Sequence, residues 1–279
     1  MMNLSEFCKC LSNEINGLDD YEKRIKCIND FLSQKSEFKM GKYKYFYRGD
    51  KYCVSTQSKL FRNNQLESEN KLFEEWQNHC CAKCLNICNC EDKGSLKCLA
   101  YMQHYKGNTR LLDFTRDPLV ALRFACGEDG DNCRKKVTVY AAESIDLSDG
   151  INYKSQKLMR LVKSDYRLDS DTKELTKDYF IEVGEDFPRI KNQKGLFMFM
   201  GNRNSVSDEN PLYGEKVKHE LSPTYGRGKS YKGMVGVLNI SPYAVEKIRR
   251  ELEKKPNYKM AFLMDNEKNS CEKPLGGEK

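Results

Sequence analysis

The sequence predicts an α+β fold: a mainly antiparallel sheet core flanked by helices, with a helical N-terminal appendage. Three observations carry this. Leu4 to Phe38 spaces its apolar residues as a helix does. Strand-like segments recur at Lys42 to Arg48, Val137 to Ala142, Gly195 to Met200 and Met234 to Ile240. Between the first two of these, Leu99 to Ala125 changes from helix to turn to strand to helix within one short segment.

Taken in order, Phe7, Leu11 and Ile15 mark a first helix, and Ile25, Ile28, Phe31 and Leu32 a second. Gly17-Leu18-Asp19-Asp20 reads as a break with a cap. Tyr43, Tyr45 and Tyr47 alternate as strand residues do, which suits core packing and edge pairing. Ser58 to Cys90 is mostly helical. Leu99, Met102 and Tyr105 then have helical spacing around Gln103 and His104, and Lys106-Gly107-Asn108 is a turn. Thr109 to Thr115 is a short strand, and Asp117-Pro118 opens a helix carrying Leu119, Leu122, Phe124 and Ala125. Proline is tolerated in a first helical turn because its missing N–H has no partner there, and the preceding Asp can cap.

Val137 to Ala142 has high β-propensity, whereas Ile151 to Ile181 is polar and irregular, with no clear hydrophobic period. Asn202 to Lys232 is long, Gly-rich and charged, and reads as a loop or mobile insertion. Ser241-Pro242 starts a helix through Glu253, with Val245, Ile248 and Leu252 on one face. After Asp265 the chain is polar and expected to be disordered. The resulting division is an appendage over 1–40, a main domain over 41–262 and a flexible tail over 263–279.

A chain of 279 residues suits one large domain, or one domain with an appendage. Its 48 Lys and Arg exceed its 41 Asp and Glu, a net +7 that is compatible with phosphate-bearing ligands but is mostly a solvated surface. The N-terminal residues lack a basic region followed by an apolar run, and no stretch approaches the roughly 18 apolar residues of a membrane span. The expectation is a cytoplasmic protein with no membrane partner.

Of the 13 cysteines, Cys80, Cys81, Cys84, Cys88, Cys90 and Cys98 cluster. Cys81 and Cys84 have the gap of a zinc half-site, with His79 a further candidate ligand. Cys80, Cys84 and Cys88, however, repeat every four residues after Leu72, Phe73 and Trp76. They read as a buried, metal-free stripe on a helix, so no metal is expected. An odd total and no export signal argue against a disulfide framework.

Gln103, His104, Thr109, Arg110, Asp113 and Thr115 lie beside apolar residues. Polar groups are costly to bury unpartnered, so these six form either a structural network or the lining of a site. Arg48, at the end of a strand, can present its planar fork to a phosphate or carboxylate, and Gly49 lets a ligand or the backbone come close. Each residue has a structural alternative. Arg48 can pair with Asp113, and Arg110 can pack its stem under the sheet or bind an acidic helix end. His104 can be a satisfied core histidine, Thr115-Arg116-Asp117 a helix cap, and Gln193 a bridge between backbone groups.

Phe46-Tyr47-Arg48-Gly49, then Gln103-His104-Tyr105, Gly107, Thr109 to Asp113, Thr115, Pro118 to Leu122 and Phe124-Ala125, then Arg189, Ile190, Gln193, Gly195 and Phe197 form three ordered blocks. Together they resemble the FRG domain family, over a little over half the chain. Their order also resembles the layout of ADP-ribosyltransferases. That likeness implies NAD as co-substrate and a protein or nucleic-acid acceptor. It implies that Arg48 holds phosphates beside Gly49, Gln103, His104, Thr109, Arg110 and Thr115, and it sets Gln193 at the acidic position of the third strand. Gln193 carries no charge, so Asp113 becomes the candidate for that role, with Glu182 and Glu185 nearby. Two classes of function stay open: an NAD-consuming enzyme acting as an intracellular effector or in defence, and a non-catalytic module binding a nucleotide, nucleic acid or protein.

Overall fold

The alternating strand segments assemble into a seven-stranded mixed sheet in the computed structural model. It describes residues 4–34, 39, 41, 44–51, 58–79, 95–104, 107–127, 134–147, 153–164, 178–184, 188–201 and 233–264. The strands are β1 (Lys44–Lys51), β2 (Leu111–Thr115), β3 (Lys135–Ala142), β4 (Ser144–Asp146), β5 (Tyr179–Glu182), β6 (Gly195–Phe199) and β7 (Gly233–Ile240). Their order across the sheet is β4-β5-β6-β2-β1-β3-β7. Every pair is antiparallel except β4 with β5, so the expected fold class holds.

The helices are α1 (Leu4–Ser12), α2 (Leu18–Leu32), α3 (Lys59–Arg62), α4 (Glu69–His79), α5 (Leu96–His104), α6 (Pro118–Cys126), α7 (Tyr153–Lys163), α8 (Pro188–Asn192), α9 (Pro242–Glu253) and α10 (Met260–Leu263). Strand alternation divides their packing. On one face, Tyr47, Val137, Val139 and Leu238 share a core with α1, α2, α6 and α9. Leu111, Phe197, Phe199 and Ile181 share a second core with α4, α5, α7 and α8. The register pairs Tyr47 with Thr115, Leu111 with Phe199, and Ile181 with Phe197. Both cores therefore lie on the same face, one over each half of the sheet. The opposite face is aromatic: Phe46 stacks on Phe180 at 4.5 Å, and Phe114 meets Tyr140 and Phe180 edge-on at 5.2 and 5.1 Å.

The N-terminal helices are tied into the first core. Ile15 makes a parallel bridge to Ile240, and its N–H donates to the Asn239 carbonyl at 2.7 Å. Arg24 donates to the Cys10 carbonyl at 2.7 Å, satisfying one of the open acceptors at the end of α1. Asp20 at the start of α2 accepts from the Asn16 N–H, which caps the break expected at Gly17. Cys10 and Cys27 are joined as a disulfide between α1 and α2. This corrects the expectation against disulfides: the antiparallel hairpin brings together two cysteines that no spacing rule pairs. Cys126 is a free, buried thiol, pushed up to about 12 by burial.

Ile151 to Ile181 is also corrected, since it contains α7 and most of β5. Leu158, Leu161 and Val162 have helical spacing and are buried, but polar residues on both sides diluted the signal. The stripe Cys80, Cys84 and Cys88 lies outside the described residues, as do the Asn202 to Lys232 insertion and the chain after Asp265. Among the described residues, no helix is long and apolar enough to cross a membrane.

Candidate functional site

The centre of the sheet holds an unusual pattern. Of the five residues of β2, only Asp113 is exposed; Leu111, Leu112, Phe114 and Thr115 are buried. Asp113 lies on the helix-bearing face, opposite the buried Phe197. It stands where the two helical cores meet, with Tyr47 of the first core and Phe197 of the second on neighbouring strands.

A chain of polar side chains holds it there. The Leu111 N–H donates to Thr109 Oγ1 at 3.1 Å, and the Thr109 hydroxyl donates to Gln103 Oε1 at 2.6 Å. The Gln103 Nε2 then donates to Asp113 Oδ2 at 3.1 Å. Thr109 is fully buried, so its hydroxyl fixes which way the Gln103 amide faces. Arg48, on the opposite face of β1, meets only the Asp113 main chain, its Nη1 donating to that carbonyl at 2.7 Å. The two strands register only at Tyr47 and Thr115, and Arg48 reaches across just beyond that pair. Its Nε and Nη2 donate to Asp50 Oδ2 and Oδ1, each at 2.8 Å. Asp50 was missed in the sequence. The available signal was its position two residues after Arg48, on the same face of one strand.

The other expected site residues have different surroundings. Arg110 and Glu69 are 0% and 1% exposed, and Arg110 Nε lies 2.9 Å from both carboxylate oxygens. Arg110 also sits 4.8 Å over the Phe199 ring. This corrects its reading as a ligand contact: it is a structural ion pair, bound to the acidic first residue of α4. Gly49 faces α6. A Cβ there would overlap the Ala121 carbonyl and lie 2.7 Å from the Ala125 nitrogen, so the backbone of α6 comes close to it. His104 is lowered to about 3, by burial first and then by the Arg189 charge, and is therefore neutral.

Thr115 and Gln193 form a separate cluster at the start of α6. The Thr115 hydroxyl donates to the Gln193 carbonyl at 2.6 Å and accepts from the Asp117 N–H at 2.9 Å. Asp117 caps α6 by accepting from the Leu119 N–H at 2.9 Å, and also receives Lys194 at 2.8 Å and the Tyr258 hydroxyl at 3.2 Å. The Gln193 amide donates to the Leu263 carbonyl at 2.9 Å. Thr115 shares a face with Tyr47, whereas Arg48 is on the other face. The expected convergence of Arg48, Asp113, Thr115 and Gln193 in one cleft is thus corrected: Arg48 lies on the aromatic face, whereas Asp113 and Thr115 share the helix-bearing face. Strand alternation separates Arg48 from the other two, and the α8–β6 turn carries Gln193 to α10. Glu182 is buried elsewhere, accepting from Lys44 at 2.8 Å, from Arg116 at 2.9 Å and from Ser144. Glu185 lies outside the described residues.

The fold and the Arg48–Asp113 group define an α+β domain with one exposed, oriented carboxylate at its sheet centre. The family model described as FRG domain matches residues 43–133, about a third of the chain, so an FRG domain is present here. That span contains β1, β2, α5 and α6, and with them Arg48, Asp50, Gln103, Thr109 and Asp113. No curated protein and no solved structure matches the chain.

Proposed function

We propose that this FRG domain protein consumes NAD, as an ADP-ribosyltransferase or NAD glycohydrolase acting in the cytoplasm as an effector or in defence. The observation that carries the reading is Asp113: a carboxylate left exposed in a buried strand and oriented by Gln103 and Thr109. Such a carboxylate suits a reaction that develops positive charge at a ribose carbon. The bond from that carbon to nicotinamide breaks, nicotinamide leaves with the electron pair, and water or an acceptor nucleophile adds and loses a proton. Arg48, fixed by Asp50 and the Asp113 carbonyl, offers its outer N–H groups to phosphate oxygens. A protein or nucleic acid is the acceptor in the transfer reaction.

The second reading is a module that binds a nucleotide, nucleic acid or protein without turnover. It is favoured by Gln193, whose amide is engaged at Leu263 and which brings no acidic group to the site. Labelled NAD separates the two. Nicotinamide release, with or without label transfer, supports the enzyme, and Asp113→Asn should lower it about a hundredfold at unchanged melting temperature. Binding without release supports the module, and neither result from folded protein removes the enzyme and the NAD-binding form of the module.

A further inference from the structure

The face of the sheet that carries Phe46 and Tyr140 also carries a polar row at the C-terminal end of β1. Strand register sets it. Asp50 pairs with Lys136 on β3, and Lys136 with Asn239 on β7, the last strand of the sheet. One step back, Arg48 pairs with Thr138, and Thr138 with Val237. Directly paired residues of neighbouring strands point to the same face, with Cβ atoms roughly 5 Å apart. Asp50 engages Arg48 with both carboxylate oxygens, so these two charges offset each other. Lys136, half-buried, adds a second cation, and the three side chains keep one positive charge in excess. Asn239 adds an acceptor: its Oδ1 is buried and has no hydrogen-bond partner among the described residues. A buried carbonyl left unpaired is unfavourable, so a ligand that donates to it gains more than one that merely replaces water.

We propose that this row binds the phosphate and ribose of a nucleotide, Arg48 and Lys136 taking the phosphate and Asn239 Oδ1 accepting from a ribose hydroxyl. This rests on the nucleotide reading above and extends it from Arg48 to β3 and β7. Neighbouring strands lie roughly 5 Å apart, which suits a phosphate on one strand and a hydroxyl of its own sugar on the next. Asp50 holds the guanidinium by its Nε–Nη2 edge, and Lys136 supplies the charge that this pair lacks. Lys136 and Asn239 are binding residues on the face opposite the Asp113 carboxylate.

Calorimetric titration of the full chain with AMP, adenosine and inorganic pyrophosphate, paired with thermal melting, tests this. Wild type should bind AMP more tightly than adenosine. Lys136→Gln should weaken AMP about fivefold and leave adenosine unchanged. Asn239→Leu should weaken AMP and adenosine about fivefold and leave pyrophosphate unchanged. It should also raise the melting temperature, because an apolar group of similar size replaces an unpaired buried carbonyl. An Asn239→Leu protein that melts higher yet binds AMP as wild type does overturns the site, since the carbonyl is then a structural defect alone. Lys136→Gln that binds AMP as wild type does overturns it too. If Asn239→Leu does not fold, the Lys136→Gln titrations still decide. Nicotinamide release from NAD+ by a wild type that binds no AMP overturns the inference and leaves the nucleotide reading standing. No binding of AMP or NAD+ by folded protein overturns both.

Discussion

Arg110 shows how a polar residue in a motif can be structural. A buried charge is tolerated only with a partner, and Glu69 supplies one from 41 positions away. Arg110→Met should therefore cost about 3–5 kcal/mol, because Glu69 is left uncompensated. Adding Glu69→Leu should recover most of that loss, and urea denaturation of the three proteins measures both effects. His104 gives a pH dependence. Its folded value of about 3 lies below the ordinary value of about 6.5. Between the two, the unfolded chain holds a proton that the folded chain does not. The stability from neutral His104 is complete above the unfolded value and drains as pH falls toward the folded one. The urea midpoint should fall from about pH 7 to about pH 5, and His104→Gln should flatten that slope.

At the scale of elements, the closest approach is α6 across β1. Ala121 and Ala125, one turn apart, face Gly49, and neither strand nor helix has room for a further carbon. Gly49→Ala should cost more than about 3 kcal/mol, since backbone rather than a flexible side chain must move. Gly195→Ala is the control. Its Cβ would lie 3.4 Å from Ile190, ordinary contact, and the change should cost less than about 1 kcal/mol. Thermal melting of the two variants compares them, and equal losses would show that the α6 crossing is looser than described. The crossing also shows what was legible in sequence. Asp117, Pro118 and the apolar run after them announced α6 and its cap, because those signals are local. The identity of the group that closes on Gly49 depends on tertiary packing and was not legible. α7 was hidden for another reason: its apolar residues occupy one short stretch within a polar segment.

For the whole molecule, strand alternation decides which motif residues meet. The sequence blocks identified Gln103, Thr109, Asp113 and Arg48, which the structure links in one hydrogen-bonded chain. They also named Thr115 and Gln193, which pack together at the start of α6. Nothing in linear order distinguishes the two groups. Asp113 and Thr115 share a face of β2, and the distinction comes from their neighbours: α5 brings Gln103 to Asp113, and the turn that returns the chain to β6 brings Gln193 to Thr115. Asp50 was overlooked because a carboxylate two residues from an Arg reads as an ordinary surface charge until the strand is formed. The central claim is that the strand end where Arg48 meets the Asp113 main chain is a nucleotide site. It is tested most directly by calorimetric titration of NAD+ into wild type and Arg48→Lys at matched melting temperature. One binding site in wild type, weakened in Arg48→Lys because a point-charge ammonium cannot reproduce the planar fork, is the expected result. Folded wild type that takes up no NAD+, or Arg48→Lys that binds it as wild type does, would contradict the claim.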